Sequence, residues 1–349
     1  MLLASLRLGC RSFGGPIAHL GYFERDYVQR RRWVLPAQYA EIVALCQMLP
    51  GPTSSQVGFL IGLHRAGWRG GLAAWAGFTL PSVILMYAYF AFAPRLAGPA
   101  MNGVLHGLQW LTVLVVARAV WSMARTLCPD APRAAIAASA AAMSSFAHGA
   151  FLQAAVLIMS AAAGGLFCRD VRSAESAGSP QVVPGAWIAL ALGLALLIAL
   201  RILALRMPHS SLALADIFYR TGALVFGGGH VVLPLLHDAL VPAGWISNPD
   251  FLGGYGAAQI LPGPLFSVAA YLGAKSAPSG LPVLDAGIAV LFIFLPGMLL
   301  AMAGRTLWIH GARHPRVRAA LAGVNAGAVG ILAAALYNPV LTGAIAGLQ

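Results

Sequence analysis

Residues 70–94, 96–117, 176–200, 286–304 and 319–349 each run without a single Asp, Glu, Lys or Arg. A helix rises about 1.5 Å per residue, so roughly 20 apolar residues cross the hydrocarbon core of a bilayer. Each run is near or above that length. In lipid only helices and closed barrels satisfy every backbone N–H and C=O, and continuous rather than alternating apolar runs select helices. The expected fold class is an all-α polytopic membrane protein. Composition agrees. Of 349 residues, 59% are hydrophobic and 9% charged, against roughly a quarter charged in soluble domains. That excludes an ordinary soluble enzyme, and the hydrophobicity excludes a disordered chain.

Three further charge-free runs are interrupted. The run 134–168 is too long for one helix and is broken by Ser144-Ser145 and His148-Gly149, which predicts a hairpin of two short helices. Runs 42–64 and 251–274 each carry Pro-Gly-Pro in the middle. Proline lacks the N–H and pushes the preceding residue out of the helical region. Each of these runs is therefore expected to form two half-helices around an unwound tip. Non-helical backbone at membrane depth is tolerated only where it is buried in protein or lines a wet cavity.

The same landmarks occur twice. Phe13-Gly14-Gly15-Pro16 returns 213 positions later as Phe226-Gly227-Gly228-Gly229, and Arg7 returns as Arg220 at the same offset. Trp33 returns as Trp245, and Gln47-Met48-Leu49-Pro50-Gly51-Pro52 as Gln259-Ile260-Leu261-Pro262-Gly263-Pro264, both at 212. Leu80-Pro81 matches Leu295-Pro296 at 215, and Gln109 loosely matches Asn325 at 216. Matches in one order with nearly constant offset indicate a tandem duplication. The expected units are residues 1–175 and 176–349, the second shortened at its C-terminus, since only a short tail follows Tyr337.

Basic residues set the orientation. Arg25 and Arg30-Arg31-Arg32 precede the first broken run, and Arg65 and Arg69 follow it; a re-entrant hairpin puts both clusters on the cytoplasmic side. Arg125, Arg133, Arg169 and Arg172 then fall there too. In the second copy the bias reverses: residues 238–250 hold two aspartates and no base, while 305–318 hold Arg305, Arg313, Arg316 and Arg318. The copies are thus expected to insert in opposite directions. Arg201 and Arg206 fall on the outer side, against the bias. Inverted repeats with broken helices are the pattern of a secondary transporter.

Each copy offers two turns that open a helix, with starts expected near Pro16, Pro52, Gly229 and Pro264. A helix N-terminus presents unpaired N–H groups and about half a positive charge, so several converging starts make an anion site. The candidate substrate-binding residues are Gly14, Gly15, Pro16 and His19; Gln47, Pro50, Gly51, Pro52, Thr53 and Ser54; Gly227, Gly228, Gly229 and His230; and Gln259, Pro262, Gly263 and Pro264. Ser55, Ser267 and Gln56 add neutral donors. His19 and His230 read equally as packed histidines. Glu41 reads as interfacial, and Arg7 and Arg220 as steering groups, with an ion pair to Asp216 the simpler account of Arg220.

No enzyme motif, phosphate loop, metal-ligand set or cofactor site is visible. The four cysteines form no CxxC pair. The net charge of +12 sits in short loop clusters, with no nucleic-acid motif. Met1 to Leu6 is too short for a signal-peptide core, and Arg7 argues against a lipoprotein site at Leu8-Gly9-Cys10.

Arg7-Leu-Gly, Phe13-Gly14-Gly15-Pro16-Ile-Ala-His19, Arg30-Arg31-Arg32-Trp33 and Gln47-Met-Leu-Pro50-Gly51-Pro52 together resemble the N-terminal half of the chromate ion transporter family. Phe226-Gly-Gly-Gly-His230-Val-Val-Leu-Pro234 and Gln259-Ile-Leu-Pro-Gly-Pro264 resemble its C-terminal half. The resemblance implies a bidomain carrier in the bacterial inner membrane that expels chromate and confers resistance to it. It implies no cofactor, and its partners are the anion and the lipid bilayer, with a homo-oligomer compatible. A sulfate or other oxyanion carrier is the alternative within this class. A membrane-embedded enzyme or a passive channel is the alternative outside it.

Overall fold

The computed structural model describes residues 1–93, 99–146, 150–168, 185–311 and 314–346. Arg169, Arg172, the interruption at His148-Gly149, Arg313 and the expected boundary between units at 175/176 lie outside these residues. Among the described residues every regular element is helical. The first half contributes α1 (Leu2–Gly9), α2 (Gly15–Phe23), α3 (Pro36–Met48), α4 (Thr53–Phe92), α5 (Pro99–Leu127), α6 (Ala131–Phe146) and α7 (Ala150–Phe167). The second contributes α8 (Ala186–Arg206), α9 (Ser211–Leu224), α10 (Val232–Leu240), α11 (Asn248–Ile260), α12 (Val268–Ser276), α13 (Pro282–Gly311), α14 (Pro315–Ala335) and α15 (Thr342–Ala346). Among the described residues, five stretches are long and apolar enough to cross a bilayer: Thr53–Phe92, His106–Leu127, Ala186–Arg206, Pro282–Gly304 and Pro315–Ile345.

Two boundaries differ from the charge-free runs. From Pro99 the run 96–117 lies in α5, which continues through Arg118 and Arg125 to Leu127. The run 176–200 becomes α8, which begins at Ala186 and continues past Arg201 to Arg206. Arginine stems lie along apolar surface and carry their heads to the interface, so one arginine does not end a membrane helix. The run 134–168 forms the two expected short helices, α6 and α7. They pack against each other, and both pack on α14 of the other half.

α4 is not one straight rod. Ala66 (φ −149°, ψ 30°) and Gly67 (φ 59°, ψ −153°) leave the helical region, and the chain reverses there. Gly62 and Gly70 come into contact across the bend, as do Phe59 and Gly71. Gly67 has a positive φ that L side chains rarely adopt. The returning limb carries the long charge-free run from Gly70, and α3 packs on α4 as a helical hairpin. Arg31 and Arg65 both lie over the Trp33 ring, at 5.0 and 5.2 Å. The two arginine clusters that flank the first broken run therefore meet at one end of the molecule. In the second half Lys275, ending α12, pairs with Asp250, opening α11, at 3.1 Å. That hairpin closes likewise.

Packing also corresponds between halves. α1 packs on the returning limb of α4, where Gly9 lies against the Gly77 and Phe78 carbonyls. α9 packs on α13, where Gly222 lies against the Ile293 carbonyl. Without a hydrophobic drive between helices in lipid, small residues that let backbones approach are what hold such pairs.

Candidate functional site

The two Pro-Gly-Pro turns have nearly the same backbone. α3 ends at Leu49 (φ −87°, ψ 151°) and α11 at Leu261 (φ −88°, ψ 147°). Gly51 and Gly263 follow at φ 118° and 102°. New helical turns then begin at Thr53 and Leu265. The Gly-rich turns do the same job: Gly14 and Gly15 have φ of 95° and 77°, Gly227 and Gly228 of 77° and 144°. α2 starts at Gly15 with Pro16 in its first turn, and a short 3-10 turn starts at Gly229. The four starts expected from sequence fall within one residue of these positions.

The four turns meet. Gly51 N–H donates to the Val225 carbonyl at 2.7 Å, and Gly263 N–H donates to the Ser12 carbonyl at 2.9 Å. Each Pro-Gly-Pro tip is thus bonded to the Gly-rich turn of the other half, at positions that correspond by the repeat offset. Side contacts repeat the exchange. A Cβ at Gly51 would meet Gly297 Cα at 3.0 Å, and one at Gly263 would meet Ser82 Oγ at 2.8 Å. Gly297 and Ser82 both follow the helix-internal prolines Pro296 and Pro81. The Gly-rich turns also touch, since a Cβ at Gly229 would lie 3.7 Å from Pro16 Cγ.

Side chains brace this junction. His19 is 1% exposed. Its Nε2 lies 3.2 Å from the Ser12 carbonyl and its Nδ1 3.3 Å from Ser54 Oγ. A carbonyl only accepts, so Nε2 donates and Nδ1 is left to accept from the serine hydroxyl. Thus His19 links the Gly-rich turn to the start of α4. His230 Nδ1 lies 3.3 Å from the Tyr255 hydroxyl, linking the second Gly-rich turn to α11. Gln56 Nε2 donates to the Pro50 carbonyl at 2.8 Å and to the Gly297 carbonyl at 3.0 Å. We expect His19→Leu to lower stability by about 1–3 kcal/mol through the lost buried hydrogen bonds. Thermal unfolding in detergent checks this. A midpoint equal to wild type would remove His19 from the brace.

The other candidates divide. Pro52, Ser54, Pro262, Pro264 and Ser267 are buried at the junction, and Pro50 and Thr53 are half-buried. Gln259 is half-buried at the end of α11, whereas Gln47 is exposed on α3. Ser12, Ser55 and Thr79 each hold a buried hydroxyl without a hydrogen-bond partner among the described residues. Ser12, Thr79 and Ser82 are not legible as site residues in the sequence, because nothing in a single serine or threonine marks it. The signal is indirect: Ser12 stands one residue before Phe13, and Ser82 one after the repeated Leu-Pro.

Arg220 pairs with Asp216 as its spacing suggests, at 2.8 Å, and Arg201 reaches the same carboxylate at 3.5 Å. Arg7 is exposed. Glu41 is half-buried on α3, with one carboxylate oxygen unpartnered among the described residues.

The family model for chromate transporters matches residues 1–168 and 212–348. This chain belongs to the chromate transporter family. It is 27% identical to the chromate transport protein of Pseudomonas aeruginosa over 336 residues, covering 94% of this chain and 78% of that protein. It is 29% identical to a probable chromate transport protein of Synechococcus elongatus over 346 residues, covering 95% and 81%. With the chromate transport protein of Cupriavidus metallidurans it shares 26% over 343 residues, covering 96% and 81%. No solved structure matches significantly. The matched segments contain both Gly-rich turns and both Pro-Gly-Pro tips. As a chromate transporter family member with five spans long and apolar enough to cross a bilayer, the chain is a transport protein of the membrane.

Proposed function

We propose that this protein is a secondary carrier that exports chromate from the cytoplasm, and that the four converging helix starts bind the anion. The observation that carries this is the reciprocal pair of tip bonds, Gly51 to Val225 and Gly263 to Ser12. It draws four helix N-termini to one place, each contributing roughly half a positive charge. The buried hydroxyls of Ser12, Ser55 and Thr79 are further donors. Neutral donors hold a dianion without trapping it, which suits a carrier that must release its cargo.

On this reading residues 1–175 and 176–349 are inverted-topology repeats that rock against each other about the junction. Matching turn geometries, exchanged contacts and the two separately matched segments support the duplication. The reversed charge bias supports the inversion. The protein then sits in the bacterial inner membrane and confers chromate resistance. Outward movement of a dianion runs with the inside-negative potential, worth about 4.6 kcal/mol per 100 mV for two charges, so export is favourable without proton coupling, with antiport the alternative.

The test is uptake of radiolabelled chromate into everted vesicles under an inside-positive potential, with and without excess sulfate. Saturable, potential-dependent uptake that resists sulfate is expected. Uptake suppressed by sulfate would make this a general oxyanion carrier. Flux that does not saturate would make it a channel. No flux from folded protein would overturn the reading.

A further inference from the structure

Behind the first tip, four buried polar atoms have no hydrogen-bond partner among the described residues: Ser55 Oγ, Gln56 Oε1, Trp75 Nε1 and Thr79 Oγ1. Ser55, Gln56 and Thr79 are at most 2% exposed. Trp75 is half-buried as a residue, but its ring nitrogen is covered. Ser55 and Gln56 lie in the opening turn of α4. Trp75 and Thr79 stand four apart on the returning limb, and so share one face. The bend at Ala66-Gly67 folds the limbs together, Gly62 on Gly70 and Phe59 on Gly71. α13 covers the third side. Gln56 donates to the Gly297 carbonyl at 3.0 Å, and the Trp75 and Phe294 rings meet edge-on at 5.8 Å. Phe294 lies 5.7 Å from the Phe266 ring, which a Cβ at Gly229 would meet at 3.8 Å. An aromatic wall thus joins Trp75 to the second Gly-rich turn.

Trp75 is the informative member. An indole N–H donates and cannot accept. Buried without a partner it has lost its hydration and gained nothing in return, which costs stability. It calls for an acceptor. The Ser55 and Thr79 hydroxyls can donate beside it. These groups also belong to one half. At the repeat offset of 215, Trp75 corresponds to Val290 and Thr79 to Phe294; at 212, Gln56 corresponds to Val268. All three counterparts are apolar and buried. Only Ser55 keeps its hydroxyl, in Ser267. The tips match between halves, and the walls behind them do not.

We infer that Trp75 is a substrate-binding residue. Its indole N–H, with the Ser55 and Thr79 hydroxyls, donates to oxygens of a tetrahedral oxyanion such as chromate. The anion is therefore held off-centre, on the first half's side of the junction. Phe294, fully buried, faces the indole and gives the low-dielectric surroundings in which a hydrogen bond is electrostatically stronger. This inference rests on the junction being the anion site, and adds which half supplies the donors.

Trp75→Phe tests it, because the variant keeps a ring to pack on Phe294 and loses only the N–H edge. Purified full-length protein in lipid nanodiscs is heated at increasing chromate concentration. A ligand of the folded state raises the unfolding midpoint by an amount set by its Kd. Wild type should show this rise. In Trp75→Phe the Kd for chromate should increase about tenfold, the scale of one hydrogen bond to a charged group. Without chromate its midpoint should equal or exceed that of wild type, since an unpartnered donor has gone. If the N–H is held by a buried water instead, the pattern inverts: the midpoint without chromate falls and the Kd stays. That result overturns the proposal. Val290→Ala, at the counterpart position, should leave the Kd unchanged, and an equal loss there would overturn the one-sided placement. Should Trp75→Phe not fold, Thr79→Val exchanges the hydroxyl for a methyl group and makes the same test. No rise in folded wild type overturns the junction reading and this one together. A rise that Trp75→Phe retains at the same Kd overturns the role of Trp75 alone.

Discussion

Replacing Gly51 or Gly263 with leucine abolishes chromate flux while the protein still inserts into the membrane. Both glycines hold φ above 100°, where a side chain strains the backbone by about 1–2 kcal/mol. Neither site has room. At Gly51 the new Cβ meets Gln56 Nε2 at 2.9 Å and Gly297 Cα at 3.0 Å; at Gly263 it meets Ser82 Oγ at 2.8 Å and Ser82 Cβ at 3.0 Å. The remaining leucine carbons must then push the tip away from the other half. That breaks the N–H to carbonyl bond each tip makes to Val225 or Ser12. Insertion survives, because it depends on the apolar spans, which neither glycine interrupts further. Flux in everted vesicles and membrane abundance by immunoblot check the two halves of the statement. Wild-type flux from a well-inserted variant would show that the tips are not the site.

The second large effect is a lock. A variant carrying Pro16→Cys and Gly229→Cys, with the native cysteines replaced, should cross-link and lose transport, and a reductant should restore it. The distance supports this: a Cβ at Gly229 lies 3.7 Å from Pro16 Cγ, within reach of a disulfide or a short bifunctional reagent. If the halves rock about the junction, tying the two Gly-rich turns holds one state of the cycle. Cross-link formation, read on a gel after engineered cleavage between halves, reports the contact itself. Full flux from the cross-linked protein would mean that these turns do not separate during transport.

Much of this is legible in the chain. The spans are, because charge is costly in lipid, and a stretch of roughly 20 apolar residues without it is long enough to cross. The four turns are, because glycine runs and Pro-Gly-Pro limit the backbone locally. Arg220 with Asp216 is, from helical spacing alone. Two features are not. The bend at Ala66-Gly67 falls where Arg65 and Arg69 end and begin neighbouring runs, so the sequence shows a loop but not that its limbs touch through Gly62 and Gly70. Arg201 reads as an exception to the charge bias, and its partner lies on another helix, fifteen residues on.

What the sequence determined by itself is the set of local backbone events: where helices run in lipid, where they break, and that each break occurs twice. These follow from period, charge and the restricted dihedral angles of glycine and proline, all properties of neighbouring residues. What only the tertiary structure decided is pairing. That Gly51 bonds to Val225 rather than to its own half's Ser12, and that two arginines converge on one aspartate, depends on how separate helices dock. Docking is governed by shape and small-residue contact between distant segments. A linear pattern names the groups that can pair, and only packing selects which of them do.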